Sequence, residues 1–142
     1  MPAIKCYVSS SGKNEVQATY DSGTEELKAG LEVALAYLKV RDRQVWIRPH
    51  AHKMSKCIEF RDFFEIRFRA ENLQQRPIGY FGPGLNDFTI LIWATEKGNK
   101  LKPENWCEKA NRRRKEILDG EAKAKCLQLK GDLEGDPECL EQ

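Results

Sequence analysis

Residues 63–103 read FFEIRFRAENLQQRPIGYFGPGLNDFTILIWATEKGNKLKP, and this stretch decides the fold. Three runs in it, Phe63–Phe68, Pro77–Phe81 and Asp87–Ala94, are rich in β-branched and aromatic residues and are expected to be strands. Gly82-Pro83-Gly84-Leu85-Asn86, between the last two, is a loop by composition. Short sequential strands joined by turns predict an antiparallel meander rather than parallel crossover units. Alternation along the first run sends Ile66 and Phe68 into the core and projects Glu65, Arg67 and Arg69 from the opposite face.

Helical patterns flank the meander. Upstream, Thr24 is placed to cap a helix, Glu25 and Glu26 suit its positive end, and Leu27, Leu31, Leu35 and Leu38 recur on one face. Ala3–Val8, closed by Ser9 to Gly12, suits a first strand and a turn, with room for a brief helical turn after it. Residues 41–56 lack periodicity and are expected to be irregular or briefly extended. Downstream, Pro103 and Glu104 fit a first helical turn, and Trp106, Ala110, Arg113 and Ile117 share one face. After Asp119-Gly120 large apolar residues thin out, so 119–142 is expected to be an acidic, flexible extension beyond a single domain over 1–118. The fold class expected is α+β: a small antiparallel sheet packed with two or three helices.

At 142 residues the chain builds one compact domain. It has no apolar run of ~18 residues, and MPAIKCYVSS lacks the basic start and apolar stretch of a secretory signal. A soluble, cytoplasmic protein is expected. The five cysteines are odd in number, widely spaced and without a C-x-x-C pair, which predicts reduced thiols rather than zinc or dithiol chemistry.

The formal charge of +2 hides an uneven distribution: residues 41–115 hold 17 Lys and Arg against 9 Asp and Glu, residues 116–142 hold 3 against 8. A basic middle section points to a polyanion, most commonly nucleic acid. If the strands are neighbours, Arg67, Arg69, Arg76 and Lys97 gather to grip a phosphate backbone. Tyr80 and Trp93 offer stacking surface for splayed bases if they reach it, although Trp93 and Phe88 are expected in the core. His50 and His52 form an H-x-H pair without companions at ligand spacing and are expected to be surface histidines; no metal or other cofactor is expected. Cys57 reads as a small buried hydrophobe. The run Arg112-Arg113-Arg114-Lys115 spreads around a helix and suits its C-terminal end.

The segment from Phe63 to Pro103 resembles the central region of the RelE/HigB family of toxins from type II toxin–antitoxin systems, most closely its phage-derived branch. The E-I-R strand at Glu65–Arg67, the R-P-I-G-Y-F-G-P run from Arg76 to Pro83 and the E-K-G-x-K-x-x-P run from Glu96 to Pro103 carry the resemblance, with a helix before and one after. It covers roughly residues 25 to 118. It implies a RelE/ParE-like architecture and a metal-independent endoribonuclease, an mRNA interferase cutting messenger RNA on the ribosome, restrained by a partner antitoxin. DNA contact would then belong to the antitoxin complex, and no membrane is involved.

The resemblance makes Arg76 and Arg67 the groups that stabilise charge on the phosphorane-like transition state, with Lys97 in a proton-transfer or charge-stabilising role. Arg69, Lys100 and Lys102 would bind RNA. Many relatives place a Tyr or His near the chain end, whereas this sequence has neither after Tyr80. Tyr80 is the remaining candidate acid or base, and would need nearby cations to lower its phenol. Two alternatives stay open: a ParE-type inhibitor of DNA gyrase acting by protein contacts, and a phage-derived RNA-binding protein without catalysis. The acidic end is a further candidate, as a segment that could fold over the basic face.

Overall fold

A computed structural model describes residues 2–47, 50–54, 57, 62–130 and 139. The elements in chain order are β1 (Ala3–Val8), α1 (Glu15–Asp21), α2 (Glu25–Lys39), a single 3-10 turn (Arg43–Val45), β2 (Ala51–Lys53), β3 (Phe63–Ile66), β4 (Phe68–Ala70), β5 (Leu73–Phe81), β6 (Asp87–Lys97), β7 (Lys100–Lys102), α3 (Trp106–Leu118) and β8 (Lys123–Cys126). This is an α+β fold with a mixed, mostly antiparallel sheet of eight strands and three helices.

The meander forms as its sequence dictates. β3 pairs antiparallel with β5, and β5 with β6, so the sheet runs β2-β3-β5-β6-β1-β8, with β4 also on β5 and β7 on β6. β1 lies parallel to β6, with Ile4 opposite Phe88 and Cys6 opposite Ile90. The first strand thus joins the sheet beside its longest one, which the meander pattern alone does not predict.

Alternation sorts the apolar residues into two layers. Cys6, Phe64, Ile66, Phe88 and Ile90 face α1 and α2, where Val16, Tyr20, Leu31, Leu35 and Leu38 close one core. Tyr7, Phe63, Ile78, Leu91 and Ala94 face α3, whose Trp106, Ala110 and Ile117 close the other. Thr24 caps α2, its hydroxyl accepting from the Leu27 N–H at 3.1 Å, and Asn14 caps α1 in the same way at Gln17. α3 begins at Trp106, after Asn105 and later than the Pro103 start expected from sequence. Its third inward residue is a buried arginine: Arg113 donates to the Leu91 carbonyl at 2.9 Å and to Glu15 at 2.7 Å, tying α3 to the start of α1.

Two sequence expectations are corrected here. Residues 123–126 are not a loose extension, because β8 pairs antiparallel with β1 and Leu127 is buried against the α1–α2 layer. Residues 131–138 and 140–142, on which the idea of an acidic arm over the basic face rests, lie outside the described residues. The thiols are not all reduced: Cys57 bonds Cys107, in the first turn of α3, and Cys126 bonds Cys139, while Cys6 is buried outside both disulfides, its thiol donating to the Lys125 carbonyl at 3.6 Å. Linear spacing does not reveal such pairing, because the partners meet only once the sheet and α3 have packed.

Candidate functional site

The site grows from a break in one strand. β3 ends at Ile66 and β4 begins at Phe68, both pairing with β5, and Arg67 sits at the interruption. Its backbone N–H donates to the His50 carbonyl at 2.8 Å, so the residue preceding β2 is fixed beside it. β4 then turns into β5 through Glu71 and Asn72, both with positive φ (57° and 61°), the backbone of a two-residue hairpin. This tip is held to the start of α2: the Glu71 N–H donates to Glu26 and the Glu71 carboxylate accepts from the Thr24 N–H. These bonds offset the cost of a left-handed backbone at non-glycine residues.

Between α2 and this hairpin lies a cleft of about 680 Å³. One wall is apolar and small, made by Ala29, Gly30, Val33 and Ala34 of α2; the other carries Arg67, Arg69, Gln74 and Arg76, with His50 at the rim and Glu26 the one carboxylate among the lining residues. Gly30 is required here, since a Cβ would stand 2.6 Å from the Phe68 ring. The cleft therefore brings together three of the arginines expected from sequence.

The arginines are not equivalent. The side chain of Arg76 is 4% exposed and holds a full set of partners: Glu96 at 3.2 Å, the Gln75 carbonyl at 2.9 Å and the Gln74 side chain at 3.2 Å. Burial first, and then the neighbouring Arg67 charge, pull its pKa below the ordinary guanidinium value, while Glu65 and Glu96 push it back up. A guanidinium nonetheless keeps its proton at neutral pH. Arg67, 21% exposed, pairs with the buried Glu65, whose other oxygen lies 4.0 Å from Arg76 Nε. His52 Nδ1 approaches the same carboxylate at 3.6 Å. Glu65 is thus the shared counter-charge of two arginines, and Arg69 is the exposed cation of the cleft.

Lys97 and Tyr80 stand elsewhere. Arg76 is in register with Ala94, and Lys97 lies three residues further along β6, roughly 10 Å away along the strand. It is paired across the tight turn with Lys100, is exposed, and does not line the cleft. Lys102 on β7 pairs with Glu104 at 2.7 Å. Tyr80 lies toward the other end of β5, packed in the α3 layer with the Arg114 guanidinium 5.6 Å from its ring. Its hydroxyl is buried without a hydrogen-bond partner, and burial raises its pKa to about 12, so it remains a protonated phenol at neutral pH. Arg114 lowers that value, but by less than burial raises it.

His50 is the residue that sequence reasoning set aside. Its ring packs on Tyr37 with centroids 4.0 Å apart, and it lines the same cleft as the three arginines. Its sequence signal is the H-x-H spacing with His52, His50 standing just ahead of β2, a pattern that points first to metal binding. Among the described residues no group of three or more His, Cys, Asp or Glu is arranged to hold a metal ion. Trp93 is half-buried, its indole N–H donating to Gln75 at 2.8 Å, and Phe88 is fully buried.

Chemically, the cleft can bind an anion through Arg69 and Arg67, place it over an apolar floor, and offer an imidazole for proton transfer. Comparison with family models, characterised proteins and solved structures finds no match to this chain.

Proposed function

We propose that this chain is a RelE/HigB-like toxin that binds messenger RNA in the cleft between α2 and the β4–β5 hairpin and cleaves it by attack of a ribose 2′-OH on the adjacent phosphodiester. The observation that carries the reading is the convergence of Arg67, Arg69 and Arg76 with His50 on one cleft. The RelE/ParE-like architecture belongs to the same proposal, supported by the helices that precede and follow an antiparallel meander.

In this scheme Arg69 and Arg67 hold the phosphate and stabilise the charge that develops on it. Arg76, enclosed by Glu96 and Glu65, fixes the position of the other charged groups. His50 moves the proton, the role first given to Tyr80 or Lys97. Lys97, Lys100 and Lys102 meet backbone phosphates further along the strand or on ribosomal RNA. An antitoxin covers the cleft, and operator DNA is contacted only by that complex.

Acting on messenger RNA places the chain in the cytoplasm. No helix among the described residues is long and apolar enough to cross a membrane. Disulfides are rare in a reducing cytosol, so the state of Cys57 and Cys107 in the cell bears directly on this placement.

One observation favours the gyrase-inhibitor alternative. Val33, Tyr37 and Val40 form an exposed apolar edge on α2, continued by Val45 and Ile47, and such an edge suits a protein target. Induction of the chain in a growing bacterium, with transcript ends mapped, separates the two. Codon-phased ends that vanish with Arg69→Ala and His50→Ala support the nuclease; growth arrest with intact transcripts and broken DNA supports the inhibitor.

A further inference from the structure

The cleft has a polar gradient along α2. On the helix its lining runs from Glu26 to Ala34, eight residues and roughly 12 Å. At the Val33 end the rings accumulate: His50 packs on Tyr37, and the Arg41 guanidinium lies 3.3 Å from the Tyr37 centroid. Tyr37 is 37% exposed. A cation so close to an aromatic face holds that ring in place, and the ring in turn backs the imidazole. Ala29, Gly30 and Phe68 supply a low apolar floor, because Gly30 lets the helix approach the Phe68 ring closely.

Resting on the RNA-binding reading above, we propose that the His50 end of the cleft, where Tyr37 lies behind the imidazole, is a seat for one unpaired nucleobase of single-stranded RNA, stacked against the imidazole while Arg67 and Arg69 hold the phosphate beside it. Every base has a π-face, and splayed bases of single strands are commonly held on aromatic or histidine rings. A guanidinium next to such a ring meets the phosphate that the same nucleotide carries. Bases inside a duplex are already stacked, so the seat selects single strands. Glu26, at the other end, repels phosphate and restricts the backbone to the arginine wall. A volume of about 680 Å³ is of the size that encloses a nucleotide-like ligand.

The test uses the disulfide-bonded chain and a fluorescently labelled RNA tetranucleotide made uncleavable by 2′-O-methyl sugars, beside the same backbone with abasic sites. The wild type binds the abasic strand roughly tenfold more weakly than the intact one, the size expected for one stacked base. Tyr37→Ala lowers affinity for the intact strand by a similar factor and leaves the abasic strand unchanged, while Tyr37→Phe retains tight binding. Arg69→Ala weakens both strands alike. Equal affinity of the wild type for intact and abasic strands overturns the base seat and leaves the phosphate-binding reading standing. Absence of binding to either strand overturns both.

Discussion

Arg76 and Glu96 join across the β5–β6 pair, the guanidinium donating from Nε to the Glu96 carboxylate at 3.2 Å while Nη2 lies 3.2 Å from the same oxygen as its ion-pair partner. One of the two arginines that the family resemblance assigns to charge stabilisation is therefore built into the sheet, its charge already met. Removing it leaves Glu65 and Glu96 without their shared cation. Arg76→Ala should cost about 3 kcal/mol of stability, as for loss of one partner of a buried pair, read from urea denaturation. A stability within about 0.5 kcal/mol of wild type would show that the guanidinium is not a structural member.

Arg69 makes the opposite prediction. It is exposed and lines the cleft, so Arg69→Ala should leave stability within about 0.5 kcal/mol. Its effect should fall on RNA affinity. Losing one phosphate contact should also flatten the plot of log affinity against log salt by about 0.7 for a single strand. An unchanged slope would remove Arg69 from the interface.

The Glu15–Arg113 pair links α1 to α3 and sets a pH dependence. The Arg113 hydrogen bond holds the Glu15 carboxyl below its ordinary value, against a smaller opposing effect of burial. A depressed folded-state pKa gives stability that is present above the unfolded carboxyl value of roughly 4.3 and is lost as pH falls through the folded one. Glu15→Gln should thus destabilise the protein by about 1 kcal/mol at pH 7, a value reduced for the exposure of the carboxylate. The difference between the two proteins should shrink steadily below pH 4. A constant difference down to pH 2 would contradict the pair's ionic character.

The disulfides give a chemical prediction. Intact mass under denaturing, non-reducing conditions should show four hydrogens fewer than after reduction, for two bonds. Cys57→Ser with Cys107→Ser removes a link spanning 50 residues, and by loop entropy costs up to about 4 kcal/mol. Equal thermal midpoints for this variant and wild type would mean that the Cys57–Cys107 bond adds nothing to the stability of the fold.

Much of this fold was legible because local and tertiary preferences agree. Thr24 and the leucines at 27, 31, 35 and 38 define α2 through cap and period together, and the α3 face of Trp106, Ala110, Arg113 and Ile117 is buried as its spacing requires. Parts that depend on distant partners were hidden. β8 is a short strand of alternating lysines and small residues whose pairing is decided by β1, more than a hundred residues away. The β4–β5 turn uses Glu71 and Asn72 where glycine would signal a hairpin, because contacts from α2 hold that backbone. Within the site, alternation could not show that the strand breaks at Arg67, so that Arg67, Phe68 and Arg69 line one cleft, that Glu65 is buried between two arginines, or that β5 carries Tyr80 into the α3 layer.

The position of β1 between β6 and β8 has a consequence for biosynthesis. The first strand made is flanked by two that emerge late, one near residue 90 and one near residue 125. Ile4, Cys6 and Tyr7 therefore lack their sheet neighbours until β6 and β8 have been made, and closure of the sheet is governed by long-range pairing, which is intrinsically slow. A break anywhere between β1 and β8 would therefore separate strands that are neighbours in the sheet.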